Sequence, residues 1–331
     1  MRKLGLRLPV AGLPMVGLAV AALAGPPAVA LASDEGPLQA AGRAAEQVSF
    51  EGKLRVRWLD GDAQRSDLLN VQGANGSVVV RGGGAAMASL HQRLVEHAGG
   101  VWDLLWPSDE IGSGRPPADR KYDLAAGPPT VVVNRPASVV EVRQGGALLE
   151  RLALDQASGL LLRREQFEDG AAATRTIEFE AIEIGGTTPA PDAPRTIVNV
   201  TPKVASAAKT VPTLDGGYQR VGVYKRSGVT QVLYSDGLYD LSIFEQAGRL
   251  DRSHLPAGSK VDLAAGKGLR YAWPGGHVVV WAESGMVYTA VSDAPLAQVL
   301  AAARSLPLAS GSVSLLRRLR QVCRNLIQPL G

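Results

Sequence analysis

The chain has 331 residues and a formal net charge of +4, with 35 Lys and Arg against 31 Asp and Glu, four His and a single Cys. Three positive charges (Arg2, Lys3, Arg7) and four more (Arg317, Arg318, Arg320, Arg324) lie at the two ends, which leaves the body between them at about −3. No basic folded surface is left for nucleic acid, and Cys323 alone permits neither an internal disulfide framework nor a multi-cysteine metal site.

In chain order, the first segment reads as an export signal. A positive start precedes the apolar run LPVAGLPMVGLAVAALAG, and Ala30-Leu31-Ala32 supplies a small-residue cleavage pattern before Ser33. Pro9, Pro14 and Pro26-Pro27 argue against the alternative, an uncleaved helix of about 20 residues crossing a membrane. Residues 1–32 are therefore expected to be removed, and the mature chain to be exported to the periplasm or another extracytoplasmic part of the envelope. At about 150 residues per domain, what remains suggests two domains.

Leu38, Ala41, Ala45 and Val48 recur at helical spacing, so a short amphipathic helix opens the mature chain. The period then changes to two. Leu54, Val56 and Trp58 alternate with Lys53, Arg55 and Arg57, the pattern of a half-buried strand ending at Asp60-Gly61. SDLLNVQ and SVVVRG follow around Asn75-Gly76, a hairpin signal. AAMASLHQRLVEHA fits a helix, GGVWDLLWPSDE a short strand, and residues 112–120 a loop. From Tyr122 the strands PTVVVNRP, SVVEVRQ, ALLERLALD, LLLRREQFE and TRTIEFEAIEI are separated by turn chemistry at 144–146, 155–159 and 168–170. Eight or so short strands point to a curved antiparallel sheet or open barrel over residues 33–184.

Residues 185–213, rich in Pro, Thr, Ala and Ser, read as a linker. A smaller α+β domain is expected over 214–308. VGVYKR, VTQVLYS and LYDLSIFE are joined by Ser227-Gly228 and Asp236-Gly237, and HVVVWAE and MVYTAVS form a hairpin around Ser284-Gly285. Asp293 is placed to cap a helix whose apolar face is Leu296, Val299, Leu300 and Ala303. In the tail, 309–331, Leu315, Leu316, Leu319, Val322, Cys323, Leu326 and Ile327 line one helical side, with Arg317, Arg318, Arg320 and Arg324 on much of the rest. Such a helix suits an anionic membrane surface or an acidic partner, and equally docking on the second domain.

Little of this is catalytic in pattern. YSDGLYDLSIFE (234–245) sets Ser235 beside Asp236, but the strained nucleophile turn needs G-x-S-x-G between a strand and a helix. The simpler reading is a two-residue hairpin with Asp236 and Gly237 at positive φ. His91 and His97 are six apart, unlike the i, i+4 pairs that share a metal on a helix, and His254 and His277 read as surface residues. Gly82-Gly83-Gly84 lacks the rest of a phosphate loop, and Arg163-Arg164-Glu165 reads as a solvated face. No catalytic residue, cofactor or metal is expected. Trp58, Trp102, Leu104 and Trp106 either pack a core or line an apolar groove. Tyr234, Tyr239, Trp273 and Trp281 are either the core of the second domain or a partner surface.

Two motifs resemble those of the MucB/RseB family. LALDQASGLLLRREQFEDG (152–170) is similar to the L-D-x-x-T/S-G-L-x-L-R strand pair of that family's first domain, and VLYSDGLYDLSIFE (232–245) to the YSDGL hairpin of its second. The resemblance covers nearly all of 38–308. It implies a first domain like the carriers LolA and LppX, an unclosed antiparallel β-barrel with helices, and a smaller α+β second domain. It also implies an extracytoplasmic regulator of an envelope-stress sigma-factor pathway that holds a membrane-anchored anti-sigma factor and senses a lipid or amphiphile. The alternative is a lipid or lipoprotein carrier. No binding residue carries over from the family, and the basic tail has no counterpart in it.

Overall fold

The computed structural model describes residues 36–74, 77–82, 118–168, 170, 172–186, 211–226, 229–264 and 266–306. Helix α1 (Pro37–Gln47) has Pro37 at its first turn, where a missing N–H costs nothing. It buries Leu38, Ala41 and Ala45; Val48 lies just past its end.

Eight strands then form one antiparallel sheet: β1 (Phe50–Asp60), β2 (Ala63–Ala74), β3 (Ser77–Gly82), β4 (Asp123–Val132), β5 (Arg135–Gln144), β6 (Ala147–Asp155), β7 (Leu161–Gln166) and β8 (Arg175–Ile184). Their order is β3-β2-β1-β8-β7-β6-β5-β4, so among the described residues β3 and β4 are the edge strands and the sheet is not closed into a barrel. The period-two pattern decides which face is buried. Leu54, Val56 and Trp58 turn inward, while Arg55 and Arg57 turn outward to bind Glu180 and Glu178 of β8. Gly73 lies opposite Phe50, whose ring occupies the space a Cβ there would need. That ring packs edge-on to Phe179 with centroids 5.9 Å apart.

One expected strand divides. PTVVVNRP holds a tight turn, because Val133 and Asn134 have φ of 50° and 60° and Val132 pairs with Arg135. Asn suits such a turn and Val does not, so the apolar run hides the bend. Pro128 and Pro129 sit at a register shift in edge strand β4, where they interrupt the ladder on one side only.

The second sheet also has eight antiparallel strands: β9 (Thr213–Leu214), β10 (Tyr218–Arg226), β11 (Val229–Ser235), β12 (Asp240–Ala247), β13 (Ser259–Leu263), β14 (Gly266–Trp273), β15 (Gly276–Glu283) and β16 (Met286–Ser292). Their order is β13-β14-β15-β16-β12-β11-β10-β9, again open. The β13–β14 hairpin was not anticipated; SKVDL is a short polar edge strand with little apolar signal. The hairpin at Ser284-Gly285 has both residues at positive φ and pairs Glu283 with Met286. Helix α2 (Leu296–Ser305) buries Val299, Ala302 and Ala303 in the same apolar cluster as Ile243, Val279 and Ala290. The expected linker, for the most part, and the 82–121 segment up to Pro117 lie outside the described residues, as do the export signal and the tail.

Candidate functional site

The buried polar and charged side chains of the described structure are Glu150, Asp155, Arg164, Gln166, Arg175, Ser235, Asp236, Ser292 and Asp293. Burying such groups costs free energy unless they find partners. All but Asp155 lie along the seam where the two sheets meet.

The YSDGL segment is the first part of that seam. Ser235 pairs with Asp240, so the connection is a four-residue loop rather than the expected two-residue turn. Only Gly237 has positive φ, at 94°. The Asp236 side chain replaces the missing turn geometry: one carboxylate oxygen accepts from the N–H groups of Leu238 (3.0 Å) and Tyr239 (2.8 Å). The other accepts from Tyr122 Oη at 2.6 Å and from Lys121 Nζ, both supplied by the first sheet's side. Ser235 Oγ donates to the Tyr239 carbonyl and accepts from Gly237 N–H, so its hydroxyl is committed to the loop. Tyr122 stacks edge-on against Tyr239 at 5.9 Å, and Lys121 lies over the rings of Tyr122 and Tyr218. Burial pulls the Lys121 pKa down against the opposing pull of Asp236, and burial together with Asp236 pushes the Tyr122 phenol up.

The second part is ionic. Arg164 of β7 donates to Glu150 of β6 through Nε (3.0 Å) and Nη2 (2.6 Å), and Nη2 also reaches Asp293 at 2.9 Å. Gln166 bonds both Glu150 and the backbone carbonyl of Asp293. Burial works against the Arg164 charge, but Glu150 and Asp293 outweigh it and hold its pKa above the ordinary arginine value. Arg175 of β8 is in the opposite condition. Its two terminal nitrogens are buried with no hydrogen-bond partner. Burial, with Arg164 nearby, pushes its pKa down to about 10. The third part is a 2.7 Å bond between His277 Nε2 and Glu168.

Three expectations change here. Asp293 does not cap α2, whose N-cap is Pro295 without a side-chain bond; its carboxylate goes to Arg164 and to the N–H of Asp240. Arg164 is buried rather than solvated, because Leu162, Arg164 and Gln166 share the inward face of β7. His277 is half-buried and bonded to Glu168 rather than free on the surface.

The aromatic candidates separate. Tyr234 and Tyr239 are both 0% exposed, so the partner role expected of them is withdrawn: a side chain without surface offers no contact. Trp281 is buried and stacks on Tyr288 at 5.2 Å, and Trp273 is half-buried at the end of β14. Trp58 is buried on β1, which fits core packing rather than a groove wall. Trp102, Leu104, Trp106 and the tail arginines Arg317, Arg318, Arg320 and Arg324 lie outside the described residues. A shallow depression of about 530 Å³ runs over β2, β1 and β8; Lys53, Asn70, Gln72 and Glu183 line it together with the apolar Val71, Ala181 and Ile182. The hydroxyl and carboxylate groups of the seam are committed to one another and to the loop backbone. Its chemistry is the mutual neutralisation of buried charge, which fixes one sheet against the other.

No protein-family model matches the chain, and no curated protein matches it in sequence. Among solved structures the chain is similar to MucB, at 19% identity over 81% of this chain and 95% of that one, with a TM-score of 0.46. It is also similar to the complex of MucA and MucB from Pseudomonas aeruginosa, at 18% identity over 82% and 97%, with a TM-score of 0.45. A LolA superfamily protein from Nitrosomonas europaea aligns with 47% of this chain and 94% of its own at 10% identity and a TM-score of 0.17. The MucB structures belong to the family that the two sequence motifs resemble.

Proposed function

We propose that this chain is an extracytoplasmic regulatory binding protein of the MucB/RseB kind, whose partner is the extracytoplasmic segment of a membrane-anchored anti-sigma factor. The observation that carries the proposal is where the motifs of the resemblance fall. Asp155 of LDQASGL and Asp236 of YSDGL are both buried carboxylates that organise a strand connection, the role expected of structural signatures. The neighbouring structures include MucB in complex with MucA(peri), which supports a partner of that class. The test is calorimetry of the exported chain against the extracytoplasmic segment of a single-span anti-sigma factor encoded beside it. A saturable one-to-one heat is expected. No heat, together with an envelope pulldown that recovers no anti-sigma factor, overturns the reading.

The finer part of the proposal is that the first sheet senses an envelope-derived amphiphile. It is supported by the first sheet, whose described strands form an open sheet with β3 and β4 at its edges rather than a closed barrel. Native mass spectrometry of gently purified protein is expected to show a lipid adduct. A clean apo spectrum with no uptake of a fluorescent lipid removes this part and leaves the partner reading standing.

A further inference from the structure

Of the three contacts across the seam, one contains an imidazole, the side chain whose ordinary pKa of about 6.5 lies between about pH 5 and 8. His277 shares a face of β15 with the buried Val279 and Trp281. It meets Glu168, two residues past the end of β7, through Nε2 at 2.7 Å. The two side chains are 12% and 26% exposed, so the bond is largely shielded from water. Glu168 has a second hold across the seam. Helix α2 has no side-chain cap of its own and no acidic residue in its first turn. The N–H of Leu296, its first residue, faces the Glu168 carboxylate, which therefore meets the positive end of a ten-residue helix. Asp293, the cap expected from the sequence, is engaged by Arg164 instead.

We infer that Glu168 and His277 form a proton-sensitive clasp, which holds β15 and the start of α2 to the first sheet more tightly as pH falls from about 8 to about 5.5. A neutral imidazole donates one hydrogen bond to the carboxylate. A protonated one makes the same bond between opposite charges, and such bonds are roughly twice as strong. That gain is present below the ordinary imidazole value and is lost as pH rises through it. Burial pushes the Glu168 carboxyl up, but the bond and charge of His277, with the Leu296 N–H and Arg270, outweigh it and hold it below the usual carboxylate range. Its contribution is therefore present above the unfolded value of about 4.3 and lost as pH falls through the lower folded one. The remaining charges on this side are Arg270 and Asp293. Arg270 of β14 lies opposite Val279, on the same face as the ring, and opposes the imidazolium through space, whereas Glu168 is in contact. The Asp293 carboxylate is taken by Arg164. Nδ1 of His277 is buried without a protein partner in either charge state. The clasp does not depend on the identity of the binding partner.

The experiment is a double-mutant cycle on the exported chain, His277→Gln with Glu168→Gln, read as unfolding equilibrium constants in urea at about pH 5.5 and about pH 8. The coupling between the two positions is expected to be at least about threefold larger at the lower pH. Equal coupling at both, or larger coupling at the higher pH, overturns the proposal. The imidazole proton signals of the folded chain give a second reading that needs no unfolding. His277 is identified among the four histidines by the signal that His277→Gln removes, and Glu168→Gln, which keeps a hydrogen-bond acceptor but not the charge, is expected to move its titration midpoint to lower pH. A midpoint that stays in place also overturns the clasp. The hold on α2 is read from amide exchange at Leu296, expected to be about two- to fivefold faster in Glu168→Gln than in the parent; an unchanged rate removes α2 from the clasp.

Discussion

Asp155 and Asp236 do the same local job in different surroundings. Each carboxylate accepts backbone N–H groups two or three residues on and closes a strand connection. Asp155 then finds its cation within the same corner: Arg135, twenty residues away on the neighbouring strand, donates two bonds of 2.9 Å. Asp236 finds Lys121 and Tyr122, more than a hundred residues away and just ahead of β4 of the other sheet. One aspartate therefore stabilises a corner and the other ties one sheet to the other. Two sheets of similar strand number become one body at the second kind of contact, where buried charge is neutralised across the seam.

The comparison breaks most sharply at Arg164, the cation shared by both sides. Arg164→Met leaves Glu150 and Asp293 buried without their guanidinium and is expected to cost about 3–5 kcal/mol. Urea denaturation should show it as a lower midpoint, with the two sheets unfolding in separate transitions as they lose their register. Next come the aspartates. Asp236→Ala strands Lys121, Tyr122 and two loop N–H groups, at about 3 kcal/mol; Asp155→Ala, whose partner Arg135 is one-third exposed, is expected to cost about half as much. A double-mutant cycle sharpens the point, since Asp236→Ala with Tyr122→Phe should couple by about 1–2 kcal/mol. Asp155 should show no coupling to any residue of the second sheet.

Arg175→Met has the opposite sign. Removing a buried guanidinium whose terminal nitrogens lack partners, and replacing it with an apolar side chain of similar length, is expected to stabilise by about 1 kcal/mol. A lower melting temperature in that variant would mean the cation is needed by Glu150 and Asp293 despite the distance. The smallest effect is on pH. Burial favours the neutral form of Asp155, but the bonds from Arg135 and Ser158 outweigh it and hold its pKa below the usual carboxylate range. A depressed carboxylate stabilises the fold above its unfolded value, about 3.9, and that contribution is lost as pH falls through the lower folded value. Asp155→Asn should flatten this part of the acid limb in a pH series of melting temperatures.

Much of the architecture was legible in advance because strand alternation and turn chemistry are local. The eight strands of the first sheet follow from period-two runs closed by Asp-Gly, Asn-Gly and Gly-Gly pairs. The exception, the bend at Val133-Asn134, used a residue that local preference disfavours. Pairing order is less local. That β1 joins β8 rests on pairs 117 to 134 residues apart in sequence.

The seam was not legible. Leu162, Arg164 and Gln166 share one face of a strand, and alternation alone says so. Which face is buried depends on Asp293, 129 residues away. The same holds for YSDGLYDLSIFE: its bend is written in Asp236 and Gly237, but a loop with this composition would ordinarily lie in solvent. The sequence by itself determined the strands, their turns and the corner at Asp155, because those bonds form between neighbours. Only the tertiary structure decided that Asp236, Arg164 and Asp293 are buried. The free energy of a buried charge is set by the partners that meet it, and the deciding ones here, Asp293 for Arg164 and Lys121 with Tyr122 for Asp236, come from across the seam.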